Sequence, residues 1–453
     1  MKKKVTTSPG TPLTISGIFE RSPLELKPFK GNARKHPLSQ ITKLAASIKE
    51  FGFTSTVLTD ENGMILSGHA RVEAATQLGL AWVPVRVIIG LTPAQKKAFV
   101  LADNKIALLA SWDMEQLAIE LNDLAEVDFP QELTGFTTAE IDLITDPEIT
   151  QAQKADPAEL VADDLMVPRT ALPGDLFQMG KHRLYCGDAR DLSAYERLMA
   201  GQKAQLVFTD PPYNVRVKGH VSGKGKTQHA EFAMASGEMN MQAFTQFLGE
   251  VFWLMAVHSQ DGSVHYICMD WRHQRELLDA AQSTYGVPRQ MVVWVKDNAG
   301  MGSFYRSQHE LIYVFRKGDV PHINNFELGQ HGRYRTNVWQ YAGANSFKGN
   351  GQALLKLHPT VKPVALVADA IRDCSKRGGL TLDPFAGSGT LIIAAERTRR
   401  VAYCMELEPK FIDVAIARWQ RVTGKAAIHV ETGMDWETLG AKRRGAGLLG
   451  DQS

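Results

Sequence analysis

The sequence predicts an α/β protein whose main body is a mostly parallel sheet covered by helices, preceded by a smaller α+β unit. Three observations lead there. From about residue 172 onward, apolar stretches of strand length alternate with amphipathic helices, the pattern of strands joined by helical crossovers. Before them, residues 38–89 read as a helix, two short strands, a second helix and a strand. Between the two lies 146–175, DPEITQAQKADPAELVADDLMVPRTALPGD, which is acidic and proline-bearing and reads as a linker. The expected division is a unit over 15–145 that includes a helical extension, a linker over 146–171, the large α/β unit over 172–430 and a C-terminal tail over 431–453.

In LSQITKLAASIKEF, Ile41, Leu44, Ala45, Ile48 and Phe51 share one helical face, and STVLTDENGMILSG reads as two strands about an Asn-Gly turn. The turn Ser67-Gly68-His69-Ala70-Arg71 opens another helix, and VPVRVII supplies a strand. Thr92 and Pro93 start a further helix, with proline in the first turn, where its missing N–H costs nothing. In the large unit HRLYCGD, QLVFTD, SVHYICM, QMVVWVK, ELIYVFR, GLTLD and RVAYCME are the strands. Helices fall near 241–258, from about 271, and over PVALVADAIRDCS, GTLIIAAERT and PKFIDVAIARWQRV, while the closing KRRGAGLLGDQS reads as a frayed end.

Composition sets the outer limits. At 453 residues the chain is long for one core. Hydrophobic content of 44% and charged content of 22% exclude a wholly disordered chain. No apolar run reaches the roughly 18 residues that cross a bilayer, and MKKKVTTSPGTPL begins positive with no apolar stretch behind it, so no membrane partner and a cytoplasmic location are expected. Cys186, Cys268, Cys374 and Cys404 stand in separate segments without a CxxC pair, which points to buried thiols and to no metal. A net charge of +2 says little, because nucleic-acid binding depends on where the basic residues sit. In RVKGHVSGKGKTQH and HGRYRTNVWQ, the residues Arg216, Lys218, Lys224, Lys226, Arg333 and Arg335 are the candidates for contacts to phosphate.

Two stretches carry the chemistry. Asp383-Pro384-Phe385-Ala386-Gly387-Ser388-Gly389-Thr390 lies where a buried strand turns into a helix, a place where glycines permit a tight turn and close approach of a ligand. The next strand ends in Glu406, about 20 residues on, where an acid can take both hydroxyls of a ribose. No Walker lysine follows the glycines, so an adenosine without phosphates fits better, and S-adenosylmethionine is the expected cofactor. The second stretch is VFTDPPYNV. Pro211 and Pro212 fix φ and remove two N–H donors, leaving the Asp210 carboxylate and the Pro211 carbonyl as rigid acceptors, which suits an NH2 group. Accepting both hydrogens of an exocyclic amine returns the nitrogen lone pair for attack, and Tyr213 offers a flat face for a base rotated out of the duplex.

DPPYN, HPTVKP, DPFAGSGT and ELEPKFIDVAIARW together resemble the motifs of the DNA amino-methyltransferases, and their order resembles the beta class. The resemblance covers roughly 172–424. It implies a Rossmann-like methyltransferase fold with a mostly parallel seven-stranded sheet, and transfer of a methyl group from S-adenosylmethionine to the exocyclic amine of adenine or cytosine in double-stranded DNA. It further implies that Asp210, Pro211, Pro212 and Tyr213 form the catalytic tetrapeptide. By the same resemblance Asp383, Phe385, Gly387, Gly389 and Thr390 line the cofactor, Glu406 holds its ribose, Thr360 and Lys362 lie near its methionine part, and Asp188 lies near its adenine. Adenine is the preferred target, because the family's cytosine-amino members more often carry serine at the first position of the tetrapeptide. No Pro-Cys dipeptide occurs, which argues against methylation of a ring carbon through a cysteine nucleophile.

NARKHPLSQITKLAASIKEFGF and ILSGHARVEAATQLGL resemble the ParB/sulfiredoxin-like domain over about 15–110. The resemblance makes Gly68, His69 and Arg71 candidates for an anion site at a helix start, taking a nucleotide or DNA. The loop lacks the cysteine that sulfiredoxins require, and short helices are expected in place of the helix-turn-helix that follows this unit in partition proteins. A DNA-binding regulator with an inactive methyltransferase fold, methylation of RNA or protein, and a homodimer remain open at this level.

Overall fold

The computed structural model describes residues 4–5, 13–145, 167–215, 237–297, 299, 304–326, 334–342 and 362–448. The chain forms two compact units, Met1–Thr145 and Asp146–Ser453. Among the described residues no helix is long and apolar enough to cross a membrane. All four cysteines are buried and none forms a disulfide.

In the first unit the elements are β1 (Lys4–Val5), β2 (Leu13–Ile15), β3 (Phe19–Arg21), α1 (Leu38–Phe51), β4 (Val57–Thr59), β5 (Ile65–Ser67), α2 (His69–Gln77), β6 (Val83–Ile89), α3 (Pro93–Ile106), α4 (Met114–Glu126) and α5 (Thr138–Thr145). The six strands run in the order β1-β2-β6-β4-β5, with β3 also pairing β6. The turn between β4 and β5 is the one the sequence signals: Asp60 accepts hydrogen bonds from the N–H groups of Asn62 and Met64, both at 2.9 Å, and Gly63 takes the positive φ. Ile41 and Ala45 of α1 pack on Ala70 and Ala74 of α2. A capping box of Thr92 and Gln95 starts α3.

The second unit contains β7 (Leu176–Met179), β8 (His182–Cys186), α6 (Leu192–Met199), β9 (Ala204–Thr209), α7 (Met241–Val257), β10 (Ser259–Met269), α8 (Gln274–Ala281), β11 (Gln290–Val295), β12 (His309–Arg316) and β13 (Val338–Gln340). It continues with α9 (Val364–Cys374), β14 (Leu380–Asp383), α10 (Thr390–Arg397), β15 (Val401–Glu406), α11 (Pro409–Thr423), β16 (Ile428–His429) and α12 (Trp436–Gly445). Its ten strands run β13-β11-β12-β10-β9-β14-β15-β8-β7-β16. The seven central strands, from β11 to β8, are the seven legible in the sequence, and the short β13, β7 and β16 extend the two edges. From β10 to β8 every neighbouring pair is parallel, and β12 runs antiparallel between β10 and β11. The central strands read as continuous apolar runs because both faces are covered. Leu366, Ile371, Ile392 and Ile416 cover one face, and Leu198, Phe244, Val251 and Leu277 the other.

This topology sets the site. The carboxyl ends of β8, β15, β14 and β9 lie side by side, with Cys186 opposite Glu406 and Asp383 opposite Cys404. Residues far apart in the chain therefore meet at one edge of the sheet, where ligands bind in open α/β folds.

The C-terminal stretch departs from the expected tail. Residues after 431 include α12, whose Trp436 and Leu439 are buried. The Trp436 indole donates to Asp413 at 2.7 Å, and Arg443 donates to Asp175 at 2.9 Å. Asp435 caps the helix by accepting from the N–H of Thr438 at 2.8 Å. The expected linker also ends earlier than residue 171, because the N–H groups of Thr170 and Ala171 donate to the Asp413 carboxylate at 2.9 and 3.0 Å. Residues 146–166 lie outside the described residues.

Candidate active site

The strand β9 delivers Asp210 to the edge of the sheet, and the two prolines after it leave no N–H to pair there. Asn214 pins the far side of the turn. In a left-handed conformation, its side chain donates to the Met239 carbonyl at 2.8 Å and accepts from the N–H of Gly237 at 3.0 Å. The Tyr213 hydroxyl donates to one Asp210 oxygen, and the Lys362 ammonium donates to the other. Lys362 lies 5.6 Å from the centre of the Tyr213 ring and 3.1 Å from the Glu310 carboxylate on β12. Burial raises the pKa of Asp210; the charge of Lys362 opposes this, and that of Glu310 adds to it. Burial alone would raise Glu310 as well, yet Lys362 and Lys296 hold it down at about 2.

The glycine loop stands beside this group. Asp383 accepts from the Thr209 hydroxyl at 2.8 Å and from the Phe385 N–H at 3.0 Å, which ties the end of β14 to the end of β9. Its burial pushes its pKa up to about 7. The Gly387 N–H donates to one oxygen of Glu406 and the Glu408 N–H to the other, each at 2.9 Å. Burial raises the Glu406 pKa too. Arg418 of α11 is buried behind the loop, where it donates to the Ser388 carbonyl and the Thr390 hydroxyl, both at 3.2 Å.

One cavity of about 140 Å³ is lined by Asp188, Asp210, Tyr213, Lys362, Gly387 and Glu406, together with the apolar walls of Phe385, Leu407 and Phe411. The structure thus brings together Asp188, Asp210, Pro211, Pro212, Tyr213, Lys362, Asp383, Phe385, Gly387, Thr390 and Glu406. Asp188 is itself paired with Arg190 at 2.7 Å. Lys362 sits against the tetrapeptide, which the resemblance alone does not convey. Gly389 is not on the cavity wall. It has a φ of +77°, and a Cβ there would lie 2.8 Å from the Cβ of Ala415, so this glycine is needed for the packing of α10 on α11 and not for approach to a ligand.

Arg335 departs from its expected role. Its guanidinium is turned inward onto Asp373 at 3.0 Å and Asp369 at 3.5 Å, and covers the Trp339 ring at 4.6 Å, so it is engaged by the fold rather than offered to phosphate. Arg216, Lys218, Lys224, Lys226, Arg333 and Thr360 lie outside the described residues. The sequence reading missed Glu310, Asn214 and Arg418. Only an acid set just before the apolar run LIYVF hints at Glu310.

In the first unit Gly68, His69 and Arg71 line a separate cavity of about 250 Å³ with Arg34, His36 and Asp103. Gly68 takes a φ of +99° at the start of α2. His69 accepts from the Phe29 N–H through Nε2 at 3.2 Å; burial and the neighbouring His36 lower its pKa. Burial also lowers the pKa of Arg71.

The DNA methylase family profile matches residues 204–417, from β9 into α11, and the ParB-methyltransferase HTH domain profile matches 115–172. The second match corrects the expectation of short helices in place of a helix-turn-helix: it takes in α4 from its second residue and all of α5. The chain is 32% identical over 279 residues to the type II methyltransferase M.ScaI of Streptomyces caespitosus, covering 55% of this chain and 85% of the relative. Over 80 residues it is 51% identical to the ParB-like nuclease domain-containing protein YnaK of Escherichia coli strain K12, covering 18% of this chain and 92% of the relative. The crystal structure of the M1.HpyAVI-SAM complex is similar at 18% identity and a TM-score of 0.37, over 52% of this chain and 97% of that one.

Proposed function

This chain belongs to the N6/N4 DNA methylase family, whose members methylate exocyclic amines of DNA with S-adenosylmethionine, and we propose that its own target is the N6 amine of adenine at a specific site in double-stranded DNA. The reading rests on one observation: a single cavity at the carboxyl ends of adjacent parallel strands holds the Asp210–Tyr213 tetrapeptide, the glycine loop after Asp383 and Glu406 at the end of the next strand. Asp210, where the family's cytosine-amino members more often carry serine, favours adenine. A DNA-modifying enzyme of this kind works in the cytoplasm.

The residues present suit the cofactor. Glu406 is a half-buried acid whose oxygens each accept one backbone N–H and keep lone pairs for two ribose hydroxyls. Phe385, Leu407 and Phe411 offer apolar walls to an adenine ring, with Asp188 at the rim for its polar edge. Asp383, Gly387 and Thr390 complete that side, and Lys362 takes the methionine side. S-adenosylmethionine supplies an electrophilic methyl carbon.

What the chain contributes is orientation and charge. Asp210 and the Pro211 carbonyl accept the hydrogens of the target amine, so that the nitrogen lone pair faces the methyl carbon. The interaction strengthens as positive charge develops on nitrogen, which lowers the barrier rather than only tightening binding. Tyr213 holds the rotated base by its ring face, offsetting part of the few kcal/mol spent in unstacking it. Incubation of the purified protein with tritiated S-adenosylmethionine and DNA, RNA or protein tests the reading. Label is expected in DNA; label confined to RNA or protein, or no transfer at all, overturns it.

A further inference from the structure

Beside Asp210 lies a run of alternating charges. Lys362, only 5% exposed, has its ammonium on the Asp210 carboxylate and 3.1 Å from Glu310. The same ammonium donates to the Tyr213 hydroxyl at 3.3 Å. Glu310 is held from its other side by Lys296, at 2.5 Å, and Lys296 in turn lies 4.8 Å from the Trp294 ring centre. The order is Asp210, Lys362, Glu310, Lys296, reaching from the end of β9 across β12 to the end of β11.

We propose that Lys362 and Glu310 are positioning residues for methyl transfer, with Glu310, braced by Lys296, holding the Lys362 ammonium against the Asp210 carboxylate so that Asp210 meets the target amine ionised. The inference rests on the reading of Asp210 as the acceptor for that amine. A protonated Asp210 has a hydroxyl in place of one acceptor oxygen and no longer complements the charge that develops on nitrogen. Its surroundings favour that form. Burial and Glu310 work against the charge, and Asp383, Tyr213 and Cys268 are the other titratable groups facing the cluster. Among the described residues Lys362 is the cation that pairs with Asp210. Its long side chain could point elsewhere, and Glu310 is what fixes its end. Glu310 therefore has two opposed effects: it repels Asp210 directly and serves it through Lys362. Those effects make the arrangement separable from an ordinary buried ion pair.

Infrared titration of the protein with labelled aspartate, free of cofactor and DNA, reads the protonation of Asp210 directly, the band being assigned by its loss in Asp210→Asn. Lys362→Met should move the Asp210 titration up by about 1–3 pH units, as expected for removing an adjacent opposite charge, and the acid limb of the single-turnover methylation profile should move with it. Lys362→Arg should restore both. In the wild-type background Glu310→Gln should slow transfer, whereas in the Lys362→Met background it should move the Asp210 titration back down and recover activity, because only the repulsion remains to be removed. If Lys362→Met does not fold, Lys362→Gln takes its place. An Asp210 titration that stays in place without the Lys362 charge, or additive losses in the double variant, overturns the proposal. The titration needs neither methyl donor nor substrate, so it gives its answer even if the modified base is not adenine.

Discussion

The Tyr213 hydroxyl donates to Asp210, which changes what a substitution there should do. A stacking face alone makes Tyr213→Phe mild. A hydrogen bond to a charged group contributes about 1.5–3 kcal/mol, so Tyr213→Phe should slow single-turnover methylation by roughly ten- to a hundredfold with S-adenosylmethionine binding intact. Tyr213→Ala should also weaken retention of the flipped base, by about 1–3 kcal/mol. A 2-aminopurine at the target position separates the two readouts, and a Tyr213→Phe enzyme with full single-turnover rate removes the hydroxyl from the account. Gly389 is a second revised residue. Since its missing side chain makes room for Ala415, Gly389→Ala should lower stability by about 1–3 kcal/mol through overpacking and a strained φ. The folded fraction should keep its affinity for S-adenosylmethionine, and calorimetry showing lost affinity at unchanged melting temperature speaks against this. Both revisions have the same origin. That Tyr213 and Gly389 matter is legible in the sequence, but what each one touches is decided by Asp210 and Ala415, whose orientation no spacing encodes. Glu310 was illegible for a stronger reason, because it meets Lys362 only after β12 is set antiparallel beside β10.

The elements were more legible than their edges. Most central strands carry a mainly apolar stretch in the sequence because both faces of the sheet are covered, so length and apolarity suffice to find them. Their ends carry the acids Asp210, Asp383 and Glu406, and a parallel sheet places those ends together whatever the chain order. The short strands β7, β13 and β16 lacked such a signal, having two to four residues each. The helix α12 was hidden by the charged stretch KRRGAG that ends it, although Trp436 and Leu439 fall three apart behind the cap residue Asp435. It belongs to the folded body through Trp436 and Arg443. Trp436→Ala should lower the stability of the catalytic unit by about 3–5 kcal/mol, and a protein ending at residue 430 should melt at lower temperature still. Denaturant curves that superimpose on wild type return this segment to a mere tail.

For the whole molecule, every residue placed in the active site belongs to the second unit. A protein starting near residue 165, which retains the contacts of Thr170 and Ala171 to Asp413, should therefore keep S-adenosylmethionine binding and methyl transfer while losing whatever the first unit contributes to DNA affinity. A folded truncation unable to bind the cofactor refutes that separation. The central claim, that Asp210 directs a methyl group onto the N6 amine of adenine, is tested most directly by analysing the product. DNA methylated by the purified protein is digested to nucleosides and examined by mass spectrometry, beside DNA treated with Asp210→Ala. N6-methyladenine from the wild type, reduced by at least roughly a hundredfold in the variant as expected for loss of one preorganised electrostatic group, is the predicted result; N4-methylcytosine as the product, or undiminished N6-methyladenine from Asp210→Ala, contradicts it.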